Sequence, residues 1–238
     1  MKIRLFTIPN MLTLGNLLCG SSAVVALLVN ADYKLALWLM IASALCDFFD
    51  GFAARLLKSI SPLGVQLDSL ADMVSFGLVP AVAFFSLYDT LPQGVEIPEN
   101  VAEIMRYMMF IIVAFSALRL ARFNVDDTQH TEFCGLPTPA NGLFCLSLAM
   151  LVANGDIAMS REVLLGVAVV MACLLISPIR MFALKFKGFG WKGNELRYIF
   201  LIVCGLIIAL FTHYAVPVII LLYITISAVR WVINISQK

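Results

Sequence analysis

The sequence predicts an all-α polytopic membrane protein, a bundle of about eight transmembrane helices with both termini on the cytoplasmic side. Three observations lead there. Of 238 residues 62% are hydrophobic and 13% charged, with a mean hydropathy of +0.98. Soluble domains carry about 25% charged residues, so most of this surface must face lipid. Apolar runs approaching the ~20 residues of a bilayer crossing recur along the chain, and the basic residues collect on one side of them. No soluble-looking block longer than a loop intervenes, so residues 1–238 read as one membrane domain.

The apolar runs fall at about 10–30, 34–57, 63–88, 101–123, 139–154, 162–181, 196–212 and 215–233. The first follows a basic tip resembling a secretion signal. No Ala-x-Ala-type cleavage site follows, however, and Asn10, Thr13 and Asn16 form a polar stripe at helical spacing, so a retained span is expected. Turn-forming residues punctuate the later runs: Asn30-Ala31-Asp32, Ser61-Pro62, the polar stretch 89–100, Gly135 to Pro139, Asn154-Gly155-Asp156, and 185–194. Placing the N-terminus inside puts thirteen of the 16 basic residues at the cytoplasmic face, leaving Lys34, Arg106 and Arg161 outside. That bias is the inside-positive pattern of short membrane loops. Lys185, Lys187, Lys192 and Arg197 are explained by it. Six scattered cysteines without a CxxC pair read as small packing residues. His130 and His213 have no partner at ligand spacing, and Trp38, Trp191 and Trp231 read as interface anchors. Nothing in the composition points to nucleic acid.

The segment 46–76, CDFFDGFAARLLKSISPLGVQLDSLADMVSF, carries the chemistry. Asp47, Asp50, Gly51, Ala54 and Arg55 share one face near the end of the second helix, and Gly64, Asp68 and Asp72 share one at the start of the third. The short connection makes these helices antiparallel neighbours, so four carboxylates converge just inside the membrane surface. Each ionised side chain in a span costs about 2.5–3.5 kcal/mol on insertion scales, and four also repel one another. Arg55 neutralises one of them. One or two divalent cations would neutralise all, and an all-carboxylate set suits Mg²⁺, Mn²⁺ or Ca²⁺ rather than zinc. Gly51, Ala54 and Gly64 leave room for close ligand approach or for close helix packing. Salt bridging by the aspartates and a cation or proton relay are the rival readings.

The pattern Asp47-x2-Asp50-Gly51-x2-Ala54-Arg55-x8-Gly64-x3-Asp68-x3-Asp72 resembles the signature of the CDP-alcohol phosphatidyltransferases at all eight positions, within residues 47–72. The resemblance implies a helical bundle, homodimeric, in a prokaryotic cell inner membrane, with its active site open to the cytoplasm and to lipid. It implies a divalent-metal site of Asp47, Asp50, Asp68 and Asp72 for two ions, Mg²⁺ or Mn²⁺, with Asp72 also the catalytic general base. Gly51, Ala54, Arg55, Gly64 and Asp68 would line the place of the cytidine diphosphate. Ser75-Phe76-Gly77 with Pro80, Arg119-x2-Arg122-Phe123-Asn124, and residues 133–140 resemble the phosphatidylserine-forming branch, which implies CDP-diacylglycerol and L-serine as substrates. An amino-acid acceptor needs a cation for its carboxylate, and Arg119 and Arg122 offer one; inside-positive anchoring is the rival reading, which weighs equally for Arg119, while Arg122 is expected to serve the acceptor. Glycerol phosphate or an inositol phosphate would be the alternative acceptors, and a cation-coupled transporter the alternative class.

Overall fold

A computed structural model describes residues 5–126, 132–183, 190–191 and 193–236. Ten α-helices account for most of them: α1 (Ile8–Asn30), α2 (Tyr33–Leu56), α3 (Pro62–Asp72), α4 (Val79–Tyr88), α5 (Glu99–Tyr107), α6 (Ile111–Val125), α7 (Thr138–Ala153), α8 (Arg161–Ile176), α9 (Glu195–Phe211) and α10 (Ala215–Ser236). Five stretches are long and apolar enough to cross a membrane: Ile8–Asn30, Tyr33–Leu56, Pro62–Tyr88, Glu99–Val125 and Glu195–Ile235. The chain is an integral membrane protein on that count. The last stretch is 41 residues long, about 60 Å as a straight helix and twice the hydrocarbon thickness. It breaks at Thr212, whose φ is +34°, into α9 and α10, which pack together.

Helix ends follow local chemistry. The Thr7 hydroxyl accepts from the Asn10 amide at the start of α1, and an Asp32 carboxylate oxygen accepts from the Leu35 amide at the start of α2. The Ser61 hydroxyl accepts from the Gly64 amide, with Pro62 beginning α3 in the position where its missing N–H costs nothing. Asp72 ends α3, and residues Met73–Leu78 continue without a break as a π-helical turn into α4. Pro80 has no N–H to give to the turn before it, and the ladder slips to Val79 N–H donating to the Val74 carbonyl.

Two expectations are corrected. The run at 162–181 does not stay helical to its end: α8 stops at Ile176, Ser177 is extended, and Pro178 cannot continue the ladder. The all-α reading also misses a short antiparallel pair, Glu132–Cys134 with Arg180–Phe182, in which Phe133 faces Met181. Three-residue strands leave too little alternation to read. Gly135 follows at φ +79°, its amide donating to the Ile179 carbonyl, while the Leu136 amide donates to the Leu174 carbonyl. A Cβ on Gly135 would collide with the Leu175 carbonyl, so glycine alone lets this loop lie on the end of α8.

Packing also refines the neighbour relation of α2 and α3. Both lean on α1, and their backbones stay apart from each other. The space between them holds the carboxylates.

Candidate active site

Helix α1 is the shared wall. Its polar stripe reaches both carboxylate helices. Thr13 donates to Asp50 Oδ2 at 2.5 Å and to the Pro9 carbonyl at 3.1 Å, and Asn16 Nδ2 donates to Asp72 Oδ1 at 3.0 Å. Asn10 Nδ2 donates to the Leu5 carbonyl at 2.8 Å, which fixes the entry of α1. Of the three side chains in the stripe, two, those of Thr13 and Asn16, thus donate to carboxylates of the motif.

Asp50 and Asp72 are buried, and Asp47 and Asp68 are half-buried. Among the described residues none of the four forms an ion pair, and Arg55 is exposed and forms none either. Salt bridging therefore does not account for them. Asp47, Asp50 and Asp68 each place one oxygen within 4.8 Å of the others, an all-oxygen set able to hold a metal ion; Asp72 is not one of the three. Bonds of 2.0–2.1 Å place oxygens on opposite sides of one Mg²⁺ about 4 Å apart, so the span fits with little adjustment. Asp68 Oδ1 is in addition buried with no hydrogen-bond partner. A buried acceptor left bare is costly, and a cation satisfies it.

Beside the three carboxylates opens a cavity of about 200 Å³. Its lining includes Gly51, Ala54, Arg55, Gly64 and Asp68, the five residues expected around the cytidine diphosphate, together with Asp50 and Asn10. A Cβ on Gly64 would stand 3.3 Å from Asn10 Oδ1 and from Ser61 Oγ, so a side chain there would crowd the wall. One on Gly51 would sit 3.5 Å from the Arg55 guanidinium, ordinary contact, so packing does not demand glycine at 51.

The two arginines at the end of α6 separate. Arg119 is buried and donates to Thr138 Oγ1 at 3.2 Å. It lies within electrostatic reach of Asp72 and Asp47. Arg122 is about half exposed and stands 3.9 Å from Asp126, the residue that ends its helix. Asn124 donates to Ser69 Oγ at 2.8 Å, tying α6 to α3. The loop 133–140, pinned by Gly135, thus delivers Thr138 to Arg119. Spacing alone placed the arginines together; the neighbour that distinguishes them comes from elsewhere in the chain. His130, Lys185, Lys187 and Lys192 lie outside the described residues. None of the six cysteines is in a disulfide.

Carboxylates from two helices, facing a pocket beside a shared third helix of a membrane bundle, mark an intramembrane functional site. The family model for CDP-alcohol phosphatidyltransferases matches residues 6–178, and the chain belongs to that family. Among its relatives are proteins named CDP-diacylglycerol–serine O-phosphatidyltransferase. The one from Bacillus subtilis is 36% identical over 149 residues, covering 62% of this chain and 77% of its own length. That from Helicobacter pylori strain J99 is 28% identical over 236 residues, 96% of this chain and 92% of its own. That from Methanocaldococcus jannaschii is 30% identical over 177 residues, 74% of each.

Proposed function

We propose that this chain transfers the phosphatidyl group of CDP-diacylglycerol to the hydroxyl of L-serine, giving phosphatidylserine and CMP. The observation that carries the reading is the meeting of Asp47, Asp50 and Asp68 beside a cavity lined by the five expected nucleotide residues. Serine as acceptor draws its support from relatives named for that reaction.

Asp47, Asp50 and Asp68 would hold one or two divalent ions, Mg²⁺ or Mn²⁺, with Asp72 at the edge of the set. Bound there, such ions supply charge neutralisation for a diphosphate and its departing CMP. The protein's own groups do the rest. Arg55, exposed and unpaired at the cavity, meets phosphate oxygens. Arg119 holds the acceptor's carboxylate; Arg122, turned outward, is the weaker candidate. Asp72 accepts the proton of the serine hydroxyl as its oxygen bonds to the phosphorus bearing diacylglycerol. The bond from that phosphorus to the CMP oxygen breaks, and CMP leaves with the electron pair. Positioning and charge stabilisation carry most of such a transfer.

The bias of basic residues supports eight passes with both termini inside, and a site open to the cytoplasm of a prokaryotic inner membrane. Resemblance to the family supports a homodimer. Family membership removes the transporter reading. The acceptor is tested by offering purified protein CDP-diacylglycerol with serine, glycerol 3-phosphate, inositol and inositol phosphate in turn and scoring CMP release. Serine-dependent release is expected; release with another acceptor and none with serine would overturn the assignment.

A further inference from the structure

Each carboxylate helix carries a serine about one turn deeper than an aspartate of the motif. On α2 it is Ser43, four residues before Asp47; in the π-helical turn it is Ser75, three residues after Asp72. The two serines meet at Asn16 of α1. Ser75 Oγ donates to Asn16 Oδ1 at 2.7 Å, and Ser43 Oγ donates to the same oxygen. Both hydroxyls also lie 3.1 Å from the Asn16 backbone carbonyl. Asn16, Ser43 and Ser75 are fully buried.

The amide has one acceptor and one donor end. Two hydroxyls occupy the acceptor, so the NH₂ end is turned to Asp72 Oδ1, 3.0 Å away. Reversed, the amide would set its oxygen against a carboxylate oxygen. Asp72 receives no other hydrogen bond among the described residues. The amide therefore fixes Oδ1 and decides that the other oxygen is the one free to face the reaction. Gly20, one turn along α1 from Asn16, makes the contact reachable: a Cβ there would come within 2.8 Å of Ser75 Cα. A bond serving helix packing alone would not need to end on a carboxylate of the motif, nor to have its polarity set from two further helices.

We infer that Asn16, oriented by Ser43 and Ser75, is the positioning residue for Asp72, holding Oδ1 so that Oδ2 is presented to the acceptor hydroxyl. The inference rests on Asp72 being the base. It is distinct from ligation, since Asn16 contacts none of the three carboxylates that share ion-binding distance.

The test compares Asn16→Ala and the isosteric Asn16→Asp with the parent in purified full-length protein. Removing the partner that orients a metal ligand typically costs about 10–100-fold, and a fall of that size is expected in kcat. Apparent KM for CDP-diacylglycerol and for serine should stay within about twofold, as for a group acting on the reacting state alone. Mn²⁺ affinity, titrated without substrates, should be unchanged. Parental kcat overturns the inference, and so does a fall in Mn²⁺ affinity matching the loss of rate. Should Asn16→Ala not fold, the Ser43→Ala/Ser75→Ala pair decides, because it leaves Asn16 in place but unlocked. A fall in kcat of about tenfold at constant KM is expected, and parental kcat overturns the inference. Asp72→Asn is assayed beside these. If it turns over like the parent, the base assignment itself fails; if it is inactive while Asn16→Ala is fully active, the positioning role alone is rejected.

Discussion

Pro62–Tyr88 and Glu195–Ile235 are both apolar enough to cross a bilayer, with mean hydropathies of 1.8 and 2.4 over an 18-residue segment, yet protein buries 67% of that segment in the first and 11% in the second. The more hydrophobic stretch is the less enclosed. Lipid is as good a solvent for leucine as another helix is, so hydrophobicity does not drive helices together inside a membrane. What draws a helix inward is polar or small residues, and Pro62–Tyr88 has Asp68, Asp72, Ser75 and Gly77, the last where a Cβ would stand 3.1 Å from Ser116 Cβ. The stretch from 195 has no carboxylate after Glu195, and much of its exposed face is large and apolar, with Leu201, Ile202, Leu206, Ile208 and Leu210 uncovered. The family match, which ends at 178, stops before α9 begins. The proposed chemistry draws Asp68 and Asp72 from the enclosed stretch, and α9–α10 packs from the side through Phe200 and Tyr223, which lie against Phe182.

The contrast is broken most directly at Asp72. Asp72→Asn keeps shape and burial but removes the base, and kcat should fall by about 10²–10⁴-fold, the usual contribution of general-base catalysis. CDP-lipid binding, followed by displacement of a labelled analogue, should remain. Parental turnover would leave the enclosed region without its proposed base. Next in size are the arginines. Arg119→Ala should raise the apparent KM for serine by about 10–100-fold, the equivalent of a hydrogen bond to a charged group. Arg122→Ala should change it less than about twofold, as befits an exposed charge. The reverse order would return the acceptor role to the outward-facing residue.

How much of this was legible in sequence depends on what each residue costs. Four aspartates in apolar runs are so unfavourable alone that the sequence pointed to a cation site, and three of them, Asp47, Asp50 and Asp68, stand close enough together to hold an ion. The eight apolar runs likewise became helical segments. The role of Asn16 was invisible for the opposite reason: a buried asparagine is cheap once bonded, and its partners Ser43, Asp72 and Ser75 are 27 to 59 residues away. The π-helical turn left only Pro80 as a sign, and a proline inside a span has several outcomes. The sequence favoured Arg122 over Arg119, the reverse of the order that burial supports, because Thr138 reaches Arg119 from a loop whose path depends on Gly135 lying against α8.

Gly20 tests whether the enclosed region depends on close approach as its carboxylates suggest. Gly20→Ala places a methyl group 2.8 Å from Ser75 Cα, and overpacking of this kind costs about 1–3 kcal/mol. Lower thermal stability in detergent is expected, with kcat reduced as Ser75 is pushed from Asn16. Stability and rate both unchanged would mean that α1 and the π-helical turn have slack between them.

The smallest expected effect lies in the bracing pair. Tyr223 of α10 donates from its hydroxyl to the Phe182 carbonyl at 2.9 Å, joining the C-terminal helices to the end of the short strand pair. Tyr223→Phe keeps the ring against Phe182 and Phe200 and removes the bond, leaving a buried carbonyl unpaired at a cost of about 1 kcal/mol. Thermal stability should drop accordingly while kcat and both KM values hold. Tyr223 also lies within electrostatic reach of Arg119, so the variant carries a sharper question than stability. If the serine KM rises with no loss of stability, α10 forms part of the acceptor pocket. The division between a chemical region and a bracing one would then run through the C-terminal pair, with its buried edge at Tyr223 on the chemical side.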